Sequence, residues 1–289
     1  MKKSRLLITL LCLTVAAVGF AQDSYREAIK EFNLLTGADE QLTKIYTNVN
    51  NLLFKATDDV DLDELTATFV KENMDQIVDM IEPLMREHNV TESDLREVCA
   101  LLSTPEGRSY TAHQNELREA FPKVFMELFF DPAMADRMVS LEETGTAENL
   151  PVDPKIDSAY AAKFFQLYEA SNFMDRYKER LSSMGMDDIA GNKALLNWLS
   201  ENVLTVMLNT SYGLVTPEDL DFGIKMLSSN ESCRKTLDAS QMNEESLRSA
   251  GVEMMEKYEA WMKAHGAQSR DKDEIFKQMM EIYKGNFPE

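Results

Sequence analysis

The sequence predicts an all-α protein, arranged as two tandem helical bundles that each contain a capped αα-hairpin. Three observations predict it. Apolar residues recur at spacings of three and four, which lines them along one face of a helix. Helix-start signals precede these stretches, while strict alternation and Asn-Gly or Asp-Gly turns, the marks of strands, are missing. A stretch near residue 90 returns near residue 215.

Residues 1–21 read as a signal peptide. Lys2, Lys3 and Arg5 give a positive start, Leu6 to Phe20 form an apolar run, and Gly19-Phe20-Ala21 offers small residues before a cut. Cleavage after Ala21 leaves Gln22 as the mature start. The run is shorter than the ~20 apolar residues of a comfortable membrane span. Cys12 follows Leu11, where a lipid anchor calls for a small residue. The expectation is export to a Gram-negative type periplasm or to the medium, with no stable membrane anchor after cleavage.

The chain carries a net charge of −20, and losing the three positive charges of the signal takes it to −23. Such a surface repels nucleic-acid backbones and anionic membranes. It favours solubility or a cationic partner.

The elements follow in order. Ser24 with Glu27 reads as a capping box, and Gly37 suits the left-handed residue after a helix. Leu42, Ile45, Tyr46, Val49, Leu52 and Leu53 form one helical face. Asp61 to Glu64 reads as a second cap, followed by Leu62, Leu65, Phe69 and then Ile77, Ile81, Leu84. Pro83 and Pro122 fall late in periodic stretches and are expected to end or kink their helices. Phe121 to Phe130 is apolar on several faces, as a core helix or a ligand groove would be. Asp131-Pro132 and Asp153-Pro154 place an acceptor at the cap and proline at the first helical position. Residues 144–154 lack an apolar period and read as a linker between helical unit 1 (22–143) and helical unit 2 (155–289). In the second unit Leu195, Leu196, Leu199, Val203, Val206 and Met207 repeat the helical pattern.

The internal repeat is the most informative feature. A shift of 125 residues superposes Val90, Thr91, Asp94, Leu95, Leu102, Ser103, Glu106 and Thr111 on identical residues. Thr91 and Thr216 are expected N-caps, closed by Asp94 and Asp219, with Val90 and Val215 stapled on Leu95 and Leu220. The helices end near Ser103 and Ser228, and Pro105 opens the next one in the first copy.

At Thr91, Asp94, Leu95, Ser103, Pro105 and Gly107 the chain resembles the exported bacterial family called domain of unknown function 2059. The resemblance implies an exported helical protein and no assigned catalytic residue. The second copy, through Thr216, Asp219, Leu220 and Ser228, departs where Asn230 and Ser232 replace proline and glycine.

Concentrated chemistry is scarce. Asp59, Asp61 and Asp63 begin like a calcium loop, but Glu64 and Val70 stand where glycine and the closing glutamate are needed. His88, His113 and His265 lack metal-ligand spacing, and nucleophile-elbow and phosphate-loop patterns are missing. The expectation is no metal and no cofactor. The paired methionines (Met134 with Met138, Met184 with Met186, Met254-Met255, Met279-Met280) admit copper(I) or core packing, and packing is preferred. Cys99 and Cys233 form a candidate disulfide, with two buried thiols as the alternative.

The function expected is therefore that of an exported, non-enzymatic binding or interaction protein, with a groove between helices or between halves. Its partner would be a protein or a small apolar ligand. Two alternatives stand: an envelope hydrolase using carboxylates in an interdomain cleft, and a carrier of an apolar ligand.

Overall fold

A computed structural model describes residues 24–55, 60–129, 132–183, 185–239, 244–271 and 273–277. The signal peptide, Met279-Met280 and the side chains of Phe121 to Phe130 lie outside the described residues.

The described chain is all-α. Helices α1 (24–36), α2 (Ala38–Leu53), α3 (Leu62–Glu72), α4 (Met74–Glu87) and α5 (Glu92–Leu102) are followed by the long α6 (Pro105–Phe129) and by α7 (Pro132–Thr144). Then come α8 (Ser158–Ala170), α9 (Phe173–Ser183), the short α10 (Asp187–Gly191), α11 (Lys193–Ser211), α12 (Pro217–Ser229), α13 (Glu231–Ala239) and α14 (Glu244–Ala264). A last short helix, α15, covers 273–277. The one sheet among the described residues pairs β1 (Phe54–Lys55) with β2 (Gln268–Ser269), antiparallel, Phe54 opposite Ser269. No described helix is long and apolar enough to cross a membrane.

Local chemistry sets the helix ends. Asp61 caps α3 by accepting from the backbone N–H groups of Asp63 and Glu64. Gly37 holds φ 68°, the left-handed conformation that lets α1 stop and α2 start one residue later. Ser24 Oγ donates to Glu92 at 2.7 Å, and Glu27 pairs with Lys30. Helix α4 runs through Pro83 to Glu87, and α6 runs through Pro122. Proline removes one N–H from the helix; around Pro83 the flanking turns bury Ile77, Val78, Leu84 and Met85. Asp153-Pro154 does not start a helix. Asp153 Oδ1 accepts from Lys155 N in a turn, and Asp157 caps α8 through Tyr160 N four residues later.

The chain forms two compact units, and their composition corrects the expected division. Among the described residues, one unit comprises 24–96 and 238–277, the other 97–237. Residues 144–154 fall inside the second unit and separate nothing. They lie along α11, tied down by its side chains. Leu150 N donates to Asn202 Oδ1 (2.7 Å), Asp153 N to Asn209 Oδ1 (2.9 Å) and Trp198 Nε1 to the Glu148 carbonyl (3.4 Å). The segment lacks an apolar period because polar groups on α11, rather than an apolar face of its own, hold it.

The first unit is built around Tyr258 of α14, fully buried among Tyr46, Phe54 and Phe69. Its hydroxyl meets Thr66 Oγ1 at 2.7 Å and donates to Asn50 Oδ1. A buried phenol needs such partners, because an unmet hydroxyl costs about 1–3 kcal/mol. A neighbouring cluster joins Tyr25 and Ile29 of α1, Val78 and Met85 of α4, Val90, Leu95 and Ala239.

In the second unit α11 is central. Leu195, Leu196, Trp198, Leu199, Val203, Val206 and Leu208 are buried around most of its circumference. A helix apolar on all sides is a core helix. Tyr160, Phe164, Leu167, Leu208, Val215, Leu220 and Leu117 form one cluster, and Met134, Leu141, Leu195, Trp198 and Leu199 another. Met254 and Met134 are core residues, with Met255 and Met138 packed against them.

Candidate functional site

The repeated motif folds as expected at its caps. Thr91 N donates to Asp94 Oδ2 at 2.8 Å and Asp94 N to Thr91 Oγ1 at 3.2 Å. Thr216 and Asp219 close the same reciprocal box at 2.9 and 3.1 Å. Leu95 and Leu220 are buried in the same clusters as Val90 and Val215 respectively, which is the expected staple. Ser103 is exposed beyond the end of α5, and Ser228 lies in the last turn of α12. Pro105 opens α6, and the Thr104 hydroxyl accepts from Gly107 N at 3.0 Å. Gly107 is demanded by closeness. A Cβ there would stand 2.7 Å from Leu102 Cα and nearer still to the Leu101 carbonyl. In the second hairpin Asn230 leaves the helical conformation and its Oδ1 accepts from Cys233 N. Ser232 stands there in the place of Gly107, its Oγ donating to Glu97 at 2.8 Å.

Two arrangements in the second unit are candidates for function. The first centres on Asp219, whose side chain is only 2% exposed. Besides closing the box it accepts from Ser109 Oγ at 2.9 Å, and its Oδ2 meets His113 Nδ1 at 2.7 Å. Ser109 and His113 are one turn apart on α6, so both reach the same carboxylate. Burial alone would raise the Asp219 pKa. Hydrogen bonds from Thr216, Ser109 and His113 outweigh it and hold the carboxyl below its ordinary value. The trio lacks the order of a nucleophilic triad. Ser109 bonds the carboxylate rather than the imidazole, so His113 is not placed to take its proton. A general acid needs a raised pKa, and this carboxyl has the opposite. The arrangement fastens α6 to the start of α12. A Cβ on Gly223 of α12 would lie 2.9 Å from the Tyr110 ring of α6, which shows how close that packing is.

The second arrangement is an open cup at the turn from α8 to α9. Phe165, Tyr168, Glu169, Asn172, Phe173, Met174, Asp175 and Leu204 line a cavity of about 370 Å³. Asn172 turns the chain with φ 52°, a left-handed conformation that asparagine tolerates better than most residues. The turn sets Tyr168 and Phe173 edge to face at 5.5 Å, and Phe173 stacks on Tyr177 at 5.6 Å. Burial pushes the Tyr177 hydroxyl up to about 12 and raises Tyr168 as well, so both are neutral phenols. Glu169 and Asp175 are exposed at the rim, and neither is ion-paired among the described residues. The aromatic spacing 164, 165, 168, 173, 177 is visible in the sequence and signals this cup.

The remaining candidates are dispersed. His265 stacks on Trp261 at 3.9 Å, and His88 ends α4. Asp61 is a helix cap, and no group of acids, histidines and cysteines among the described residues is placed to hold a metal. Cys99 and Cys233 are both buried thiols rather than a disulfide. Burial, with Glu97 nearby, pushes the Cys233 thiol up to about 12.

No family model, curated protein or solved structure matches the chain.

Proposed function

We propose that this is an exported, non-enzymatic binding protein, and that the cup at the α8–α9 turn takes a cationic group carried on an apolar stem. One observation carries the reading. The aromatic side chains Tyr168, Phe173 and Phe165 line one cavity with two carboxylates, Glu169 and Asp175. A cation over an aromatic face gains about 0.5–2 kcal/mol. Lysine or arginine side chains, or a quaternary ammonium, supply that charge, and Leu204 and Met174 suit the stem. The net charge of −20 draws cations from a distance.

The hydrolase alternative is less well supported. The deeply buried carboxylate, Asp219, is fully bonded and held ionised. An apolar carrier would favour an enclosed cavity, whereas this cup is open at its rim.

The test is a titration with an amphipathic lysine-bearing peptide and its lysine-acetylated form, followed by tyrosine fluorescence. The lysine peptide should bind at least about tenfold more tightly, and Glu169→Gln with Asp175→Asn should remove that preference. Equal binding of both peptides, or binding indifferent to Phe173→Ala and to the two rim changes, would overturn the reading.

A further inference from the structure

We infer that the two halves of the sequence are an exchanged pair, in which the trailing helices of each half complete the core of the other. The inference stands apart from the ligand reading and rests on the composition of the units. Residues 24–96 of the first half share their unit with residues 238 onward, which trail the second half. Residues 97–144, which trail the first half, share theirs with residues 155–237.

The leading parts are alike in detail. In the first, Tyr25 of α1 donates from its hydroxyl to the Val90 carbonyl at 2.9 Å. In the second, Tyr160 of α8 donates to the Val215 carbonyl at 3.0 Å. Val90 and Val215 are equivalent at the 125-residue shift. Position 96 is equivalent to 221, and each makes an ion pair with the leading helix of its own half: Arg96 with Glu31, and Lys163 with Asp221. The charges are reversed while the geometry is kept.

The trailing parts cross over. Leu117 of α6 packs with Tyr160, Phe164 and Leu220, and Met134 and Leu141 of α7 pack with Trp198 and Leu199. Conversely, Tyr258 and Met262 of α14 pack with Tyr46, Phe69 and Ile77, and Arg270 N donates to the Leu53 carbonyl at 2.8 Å. Glu97 and Tyr110, from the first half's trailing part, add to the same crossing: Glu97 accepts from Asn230 Nδ2 and Ser232 Oγ, and Tyr110 meets Phe222 at 5.4 Å.

The cause lies in the corner after each capped helix. The α5–α6 turn is two residues long and closed by Gly107 against the α5 backbone. Short connections that carry the next helix away from its own core are the conditions under which copies exchange segments.

Hydrogen exchange on the full chain tests the inference through two variants, one in each trailing part. Tyr258→Phe should speed exchange about tenfold in 38–85, the factor of a lost buried hydrogen bond, and leave 158–229 unchanged. Leu117→Ala should do the converse, loosening 158–229 and sparing 38–85. Loosening confined to the variant's own half, or equal in both halves, would overturn the exchange. A second measurement guards against a variant that fails to fold. A wild-type chain carrying a protease site at Gly145, an exposed position with open space around it, is cleaved under native conditions. The fragments should co-elute and part only in denaturant, and fragments that separate without it refute the exchange.

Discussion

Asp94 and Asp219 occupy the same position in the two capping boxes and carry different loads. Asp94 closes its box at an exposed site, whereas Asp219 is buried and also holds Ser109 and His113. Asp94→Ala should cost about 1 kcal/mol, the value of a helix cap. Asp219→Ala should cost more, about 2 kcal/mol, since the half-buried Ser109 and His113 lose their partner as well. Urea unfolding of the two variants checks the order. The pH dependence follows from the same bonds. The folded Asp219 carboxyl titrates below its unfolded value of about 4. Its stabilisation is therefore complete above that value and is lost as pH falls through the folded one. Between pH 5 and pH 3 the wild type should lose stability more steeply than Asp219→Ala. Parallel curves would show that this carboxylate has no part in acid sensitivity. Nothing local in the sequence announces this node, because its members lie 106 and 110 residues apart.

At the scale of the element, what was legible was what is local. The caps at Thr91, Thr216 and Asp61, the proline at the start of α6 and the left-handed Gly37 all act within four residues, so sequence spacing reveals them. The segment 144–154 reads as a linker in the sequence because its hydrogen-bond partners, Asn202 and Asn209, stand more than fifty residues away. Asn202 is fully buried, a sign that its amide serves other backbone groups. Gly107 shows a motif residue whose reason emerges only in three dimensions. Gly107→Ala pushes a methyl group into the α5 backbone, which has no rotamer with which to yield. Overpacking of this kind costs about 1–3 kcal/mol or more. The same change to alanine at Ser232, where the second hairpin already carries a side chain, should cost less, and thermal unfolding of the pair measures the difference.

For the whole molecule, charge sets the balance. A net of −20 on this chain opposes compaction through self-repulsion, while its ion pairs are largely at exposed positions. Salt screens both, but exposed pairs contribute at most about 1 kcal/mol each. Relief of repulsion should win, and the melting temperature should rise by a few degrees between 10 mM and 0.5 M sodium chloride, roughly one Debye length of 30 Å to one below 5 Å. A falling melting temperature would mean that the ion pairs outweigh the repulsion.

The place of Tyr258 has a consequence for the order of events in the cell. The ring that fills the middle of the first unit arrives more than two hundred residues after the α2 helix it packs against. A ribosome makes the opening helices first; they can close the cluster around Tyr25, Val78 and Leu95, but the one around Tyr258 waits for α14. Domains closed by neighbouring residues fold as they are made. The Tyr258 cluster must wait for nearly the whole polypeptide, so the first unit completes its core only late in synthesis.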